Sequence, residues 1–152
     1  VQRTFGTTAD LAGLVERWLN RYDFDAIVAA AAVADFSPTP APGKISSSGN
    51  EFVVTMKPVP KVLDRMRQLA PDAMLVAFKL ESGVARDELF ARARRTMSRS
   101  SANLVVANDA AGMGDSGHAA WILGPGDEVE STEDRDLLAC RLLDLIEERA
   151  LG

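Results

Sequence analysis

The stretch Ala26-Ile-Val-Ala-Ala-Ala-Ala-Val33 decides how this sequence folds. All eight residues are apolar, none alternates with a polar position, and the run leads into Ala34-Asp35-Phe36-Ser37-Pro38. An unbroken apolar run that ends in a loop-forming segment predicts a β-strand buried on both faces. Such strands are typical of parallel sheets, which carry helices on both sides.

Other apolar runs predict the remaining strands of this sheet. They cover residues 74–78, 104–107 and 119–123, and a turn at 124–127 leads back into a short strand. Apolar and polar residues alternate in part over 52–56, which predicts a separate short strand. Before it, residues 36–50 hold three prolines and four serines, which makes them a candidate lid loop.

Apolar residues at helical spacing predict helices between the strands. The first spans Leu11 to Leu19 with Thr7 or Thr8 at its start, and others cover 61–69 and 86–97. Ser131 and Asp134 resemble a capping box at the start of a last helix. We therefore predict an α/β fold. It is a Rossmann-like parallel sheet with helices on both faces, plus a lid loop and a short strand.

Length and composition narrow the class of protein. The 152 residues have room for one domain, 1–152, and the net charge of −5 argues against general nucleic-acid binding. One cysteine and one histidine exclude an internal disulfide and a His/Cys zinc site, and the sparing use of cysteine fits a reducing compartment. No apolar run is long enough to cross a bilayer and no signal peptide is visible. The start at Val1 points to a fragment or a processed product.

Unusual residues follow the predicted strands at three places. They are the segments ending in Asp35, in Glu81 and in Asn108-Asp109. Ligands of parallel sheets bind outside the carboxyl ends of the strands, so we expect these segments to form one site. Neither a Gly-x-Gly-x-x-Gly fingerprint nor a phosphate-binding loop occurs, which argues against a nicotinamide-linked oxidoreductase fragment.

Five segments, in this order, resemble the phosphopantothenate–cysteine ligase family, also called phosphopantothenoylcysteine synthetase. They are Ala31-Ala32-Val33-Ala34-Asp35-Phe36, Lys44-Ile45, Pro60-Lys61-Val62-Leu63, Phe78-Lys79-Leu80-Glu81-Ser82 and Val105-Val106-Ala107-Asn108. The resemblance implies a cytoplasmic ligase of coenzyme A biosynthesis that joins 4′-phosphopantothenate to cysteine. It also implies an acyl-nucleotide intermediate, ATP or CTP as co-substrate with Mg²⁺, and a homodimer paired through residues 36–56.

The same resemblance assigns roles to single residues. Lys44 would be catalytic, stabilising the charged intermediate from the lid, and no residue is assigned as a metal ligand. Ala31, Ala32 and Asp35 would bind phosphopantothenate, whereas Phe78 and Asn108 would bind the nucleotide. Residue type alone leaves ordinary roles open: Asp35 in a turn, Lys44 in solvent and Phe78 in the core.

The chain also departs from the family pattern. It starts after the family's glycine-rich first unit, so it is expected to be the carboxyl-terminal part of a larger ligase domain. A non-catalytic nucleotide-binding or assembly module is the alternative. Members that use CTP carry Asn-Pro-Asp where this chain reads Val59-Pro60-Lys61, and lysines where it has Thr96 and Ser100. These differences favour adenine, although Arg94, Arg95 and Arg99 could replace the lysines.

Overall fold

A computed structural model describes residues 1–40, 43, 51–112 and 119–150. The strands are β1 (Ala26–Ala29), β2 (Phe36–Pro38), β3 (Met56–Pro58), β4 (Met74–Glu81), β5 (Leu104–Asp109), β6 (Ala120–Leu123) and β7 (Val129–Thr132). The helices are α1 (Thr8–Leu19), α2 (Val62–Leu69), α3 (Arg86–Ser100) and α4 (Arg135–Ala150). None of the helices in these ranges is long and apolar enough to span a membrane.

Five strands form the main sheet, in the order β1-β4-β5-β6-β7. β1, β4 and β5 are parallel, as the sequence predicts, whereas β6 and β7 are antiparallel to their neighbours. A tight turn joins β6 to β7, with Gly124 N donating to the Glu128 carbonyl at 3.1 Å, and so short a connection can join only antiparallel strands. The sheet is therefore mixed.

Helices cover the sheet on both faces, which confirms the predicted layers. α4 places Leu138, Leu142 and Leu145 against one face, on the side chains of Met74 and Val76 and their neighbours. α3 covers the opposite face with Leu89 and Ala93, assisted by side chains of α2. α1 packs on α2 outside this layer. Successive residues of β4 and β5 thus enter two different cores.

The helix starts confirm one predicted cap and correct another. Thr7 and Asp10 form a capping box on α1, with Asp10 N donating to Thr7 Oγ1 at 3.1 Å and Thr7 N to Asp10 Oδ2 at 2.9 Å. The prediction that Ser131 caps α4 is wrong. Asp134 does so, because its Oδ1 accepts from the amides of Asp136 at 2.7 Å and Leu137 at 3.0 Å.

β1 is shorter and more exposed than its apolar sequence predicts. It ends at Ala29, and residues 30–34 are exposed irregular backbone, so the prediction of a strand over 26–33 buried on both faces is wrong. Within the part of the chain that the structure describes, β1 pairs on one side only, with β4, and Val28 is exposed. A strand at a sheet edge lacks the second neighbour that would bury it.

The separate short strand also differs from its prediction. Strand β3 lies at Met56–Pro58, not at 52–56, and it pairs antiparallel with β2 in a segment expected to be irregular. The amide of Val59 donates to the Asp35 carbonyl at 3.0 Å and so extends this pairing past β3. Most of the predicted lid, residues 41–42 and 44–50, lies outside the described residues.

At the amino ends of the parallel strands, Arg67 of α2 ties three elements together. Its guanidinium donates to Asn103 Oδ1 at 2.7 Å, and that oxygen also accepts from the Leu75 amide at 2.8 Å. The same guanidinium donates to the carbonyls of Ala70, Pro71, Ala73 and Ser101. Arg67 therefore fixes where α2 ends and where β4 and β5 begin.

Candidate active site at the carboxyl edge of the sheet

The three predicted site segments do meet at one edge. Ala29 of β1 lies opposite Ala77 of β4, and Glu81 of β4 lies opposite Asp109 of β5. The ends of these parallel strands, with the loop at residues 30–35 that follows β1, are called the carboxyl edge below. The register of β1, β4 and β5 brings the strand ends together there.

The loop after β1 carries the predicted substrate-binding residues. Ala31, Ala32 and Asp35 are all exposed in irregular backbone. The two alanines have no side chain beyond Cβ, so a ligand can approach the main chain closely at this point. Asp35 directly precedes β2, whose pairing with β3 fixes the end of the loop.

Lys61 holds the carboxylate of Asp35. Its Nζ donates to Asp35 Oδ1, which joins the residue before α2 to the loop after β1. This hydrogen bond, with the charges of Lys61, Lys79 and Arg99, lowers the pKa of Asp35 below its ordinary value. Asp35 therefore stays ionised in a positively charged neighbourhood, and 63% of its side chain remains exposed.

Phe78 and Asn108, the predicted nucleotide-binding residues, share the face of the sheet that α4 covers. Phe78 is half-buried against the α4-side core, so part of its ring is occupied by packing. Asn108 is buried and lies opposite Leu80 in the β4–β5 ladder. The two residues are thus on one face at neighbouring positions of adjacent strands. Both lie inside strands that are longer than the sequence predicts.

An ion-pair chain occupies the opposite face of the carboxyl edge. Lys79 Nζ lies 2.7 Å from Glu81 Oε1, and Arg92 Nη1 of α3 lies 2.7 Å from Glu81 Oε2. Arg92 Nε also donates to Glu88 Oε1 at 2.7 Å, and Arg95 lies 3.3 Å from the same oxygen. Lys79 and, to a lesser extent, Arg92 lower the pKa of Glu81. Two basic side chains therefore meet at one carboxylate beside the site.

Sequence reasoning missed Lys61, Lys79 and Arg92 as parts of the site. Lys61 and Lys79 lie inside the family motifs, beside Pro60 and Phe78, and their place in these motifs could have identified them as site residues. Nothing in the sequence could have identified Arg92, because only the packing of α3 brings it to Glu81. Lys44 lies outside the described residues, and its role stays a prediction.

The carboxyl edge is distinct from two grooves elsewhere on the surface. One groove of about 600 Å³ lies at the amino ends of the strands, between Tyr22, Asp72 and Arg149. Another of about 610 Å³ lies beside the start of α1. Neither is lined by Asp35, Phe78 or Asn108. Across the described ranges, no three His, Cys, Asp or Glu side chains are grouped to hold a metal ion.

Fold and site together define an α/β protein with a polar, ion-paired site at the carboxyl ends of its parallel strands. Residues 4–150 match the family described as the DNA/pantothenate metabolism flavoprotein C-terminal domain. The chain belongs to this family.

Relatives with similar sequences carry names from coenzyme A biosynthesis. The chain is 33% identical over 118 residues to the coenzyme A biosynthesis bifunctional protein CoaBC of Thermococcus kodakarensis, covering 78% of this chain and 29% of that protein. It is 43% identical over 84 residues to the phosphopantothenate–cysteine ligase of Mus musculus, covering 52% and 26%. The chain thus spans less than a third of either relative.

Solved structures share the fold. The DNA/pantothenate metabolism flavoprotein from Streptococcus pneumoniae superimposes with a TM-score of 0.85 at 23% identity, over 96% of this chain and 72% of that one. A Cab2 variant in complex with phosphopantothenate-cysteine gives a TM-score of 0.57 at 22% identity, over 78% and 43%. The predicted α/β architecture is confirmed.

Proposed function

We propose that this chain is the carboxyl-terminal part of a phosphopantothenate–cysteine ligase of coenzyme A biosynthesis. The observation that carries the proposal is the register of β1, β4 and β5. It makes the loop that carries Ala31, Ala32 and Asp35 begin at the same edge as Phe78 and Asn108. Family membership over residues 4–150 and the names of the relatives supply the reaction.

The reaction has two steps, and each demands charge and alignment from the protein. The carboxylate of 4′-phosphopantothenate attacks the α-phosphate of a nucleoside triphosphate, forming an acyl-nucleotide and releasing pyrophosphate. The amine of cysteine then attacks the acyl carbon, loses a proton and expels the nucleoside monophosphate, leaving an amide. Both steps develop negative charge on oxygen, which positively charged side chains stabilise. Lys61 and Lys79 provide such charge at the carboxyl edge, and Lys44 is the proposed catalytic residue.

The loop after β1 suits the phosphopantothenate end of the site. At Ala31 and Ala32 the exposed main chain can hydrogen-bond the substrate without obstruction by side chains. Asp35, kept ionised by Lys61, can accept hydrogen bonds from hydroxyl or amide groups of the substrate. These contacts would align the carboxylate with the nucleotide, and such alignment lowers the barrier to attack.

Phe78 and Asn108 are the proposed nucleotide contacts, with Phe78 against the base. We expect ATP to be used at least as well as CTP. Ser100, where CTP-using members have lysine, is buried and donates its hydroxyl to the Thr96 carbonyl at 2.7 Å. This supports the loss of a contact tied to CTP. Side-by-side kinetics test the choice, and a preference for CTP above ~100-fold would contradict it.

The arginines that could replace the missing lysines have other partners. Arg94 donates to the Gly124 carbonyl at 3.1 Å, Arg95 to Glu88, and Arg99 to Asp64. Of these three, Arg99 is the one whose charge reaches Asp35. Arg99 is therefore the one of the three that we propose as a substitute for a lysine near the site.

Mg²⁺ belongs with the nucleotide in this proposal. The described residues do not gather three carboxylates that could form a dedicated magnesium site. Mg²⁺ is commonly held by substrate phosphates with few protein ligands, so it would arrive with the triphosphate. We further propose a cytoplasmic homodimer, in which residues 1–152 act as a single domain.

Pyrophosphate release by the full-length protein tests the function. With 4′-phosphopantothenate, cysteine and a nucleoside triphosphate, continuous release is expected, and it should stop when phosphopantothenate is omitted. Lys44→Gln should slow turnover by ~100-fold, because a charge aimed at a developing oxyanion contributes about 3 kcal/mol. Absence of release with both ATP and CTP would contradict the ligase and favour a non-catalytic nucleotide-binding module.

A further inference from the structure

Lys79 occupies a central place at the carboxyl edge, and the proposed function assigns it no particular ligand group. It lies opposite Ala107 of β5 and two residues beyond Ala77, which pairs with Ala29 of β1. Lys79 is thus on the strand between the loop that carries Ala31 and the strand that carries Asn108, and it lies on the α3 side of the edge, across the sheet from Phe78 and Asn108. Its side chain is 32% exposed, so an anion could reach it from solvent.

Glu81 holds Lys79 in an arrangement that permits release. The Glu81 side chain is only 16% exposed, and it binds Lys79 and Arg92 through different oxygens, each at 2.7 Å. Arg92 is itself held by Glu88 at 2.7 Å. If Lys79 moved away, Glu81 would keep the Arg92 pair and would not become an uncompensated, mostly buried carboxylate.

The side-chain chemistry of Arg92 and Lys79 suits one of them to stay with Glu81 and the other to leave it. The guanidinium of Arg92 is planar and bridges Glu81 and Glu88 with separate nitrogens, which makes it a fixed partner. Lys79 ends in a compact ammonium on a flexible stem, which can rotate between acceptors. Arg92 is therefore suited to remain in place while Lys79 changes partner.

Lys79 is also electrostatically coupled to the substrate loop. Its charge contributes to the lowered pKa of Asp35, which lies beyond the end of β1. The charge of Lys79 thus acts on that loop as well as on Glu81. An incoming phosphate, with more negative charge than one carboxylate, would compete effectively for it.

We propose that Lys79 is a further nucleotide-binding residue, held by Glu81 in the free protein and transferred to an anionic phosphate oxygen when the nucleotide binds. The identity of this anion as a nucleoside triphosphate rests on the proposed function. The transfer is an exchange of hydrogen-bond partners, with Arg92 keeping Glu81 neutralised.

Calorimetric titration of the full-length protein with ATP, CTP, adenosine and cytidine tests this role. Lys79→Gln should weaken binding of the preferred triphosphate by about tenfold or more, the effect of one charge-assisted hydrogen bond. The nucleoside of that triphosphate should bind to Lys79→Gln as tightly as to the wild type. Lys79→Arg should restore part of the lost triphosphate affinity. Arg141→Gln is the matched control, since Arg141 is ion-paired to Glu130 of β7, which is two strands away from β5 and three from the strand of Lys79. It should bind like the wild type.

Glu81→Gln separates release from simple structural support. Removing the competing carboxylate should leave triphosphate binding as tight as in the wild type or tighter. Equal weakening in Glu81→Gln and Lys79→Gln would overturn the holding role, and unchanged binding in Lys79→Gln would overturn the inference as a whole. Pyrophosphate release by the wild type, measured in parallel, reports on the ligase function separately. A Lys79 effect without release would support the inference and contradict the function.

Discussion

At the level of single residues, Asp35 is held by a lysine that lies 26 positions later in the chain. Lys61 reaches it because the β2–β3 pairing returns the chain to the loop after β1, just before α2 begins. Exposed ion pairs of this kind contribute little to folding stability. Their effect here is local: the pair fixes the charge of the carboxylate that we propose to contact the substrate.

The pKa of Asp35 should therefore depend on Lys61. In the wild type, the carboxyl should titrate below its ordinary value of about 3.9, and Lys61→Gln should raise the midpoint toward that value. Because the folded-state pKa is lowered, any stabilisation is present above the unfolded-state pKa. It is lost as the pH falls through the folded-state value. Carboxyl ¹³C NMR of Asp35 measures the midpoint directly.

Lys57→Gln serves as the control for this titration. Lys57 lies in β3, which pairs with β2 to form a hairpin directly after Asp35. It is not among the residues that lower the pKa of Asp35. The Asp35 midpoint should stay at its wild-type value in this variant. Equal midpoints in the wild type and Lys61→Gln would mean that the ion pair does not persist in solution.

Some site residues were predictable from sequence and others were not, for a physical reason. Asp35 and Asn108 follow apolar runs, and the rule that parallel strands end at one edge brings them together. The contact between Glu81 and Arg92 depends instead on how α3 packs across the sheet. The pattern of apolar residues predicts where the strands lie and that they run parallel. It does not predict which helix residue contacts which strand residue.

At the level of elements, hydrophobicity predicts that a strand exists better than it predicts the strand's ends. β1 stops at Ala29 although the apolar run continues to Val33, because its pairing with β4 ends there. β4 and β5 continue through polar residues to Glu81 and Asp109, because each supplies the other's ladder partner. Pairing between strands, which sequence does not display, sets these ends.

Arg67 makes the start of two strands depend on one helix residue. Arg67→Met should lower the free energy of unfolding by about 2 kcal/mol, since it removes several hydrogen bonds to carbonyls and to Asn103. Methionine keeps the apolar stem, so the packing of α2 should be retained. Urea denaturation followed by far-UV circular dichroism gives the difference.

Arg65→Met is the matched control for that measurement. Arg65 lies on the same helix and forms an ion pair with Glu16 of α1 at 2.8 Å. Such an exposed pair is expected to contribute less than ~1 kcal/mol. If both variants lost the same stability, the loss would come from the helix surface in general and not from the strand starts that Arg67 holds.

At the level of the whole molecule, apolar side chains are unevenly distributed over the surface. Several large ones are exposed between residues 36 and 56: Phe36, Phe52, Val53, Val54 and Met56. A two-stranded hairpin has little stability unless its apolar side chains pack against something. Grouped exposed apolar side chains mark interaction surfaces. This distribution supports the proposed homodimer, formed through the hairpin region next to the carboxyl edge.

Val53→Glu should therefore weaken the dimer while the fold is kept. Val53 is 84% exposed, so the new carboxylate would be solvated in a monomer but buried or opposed by its own copy in a symmetric interface. Leu137→Glu is the control, because Leu137 is 63% exposed on α4, away from the hairpin. Sedimentation velocity over a range of concentrations should show a dimer for the wild type and Leu137→Glu, and a shift toward monomer for Val53→Glu. A wild-type protein that stays monomeric at high concentration would contradict the homodimer. A dimer that Leu137→Glu disrupts and Val53→Glu does not would mean that the interface lies elsewhere.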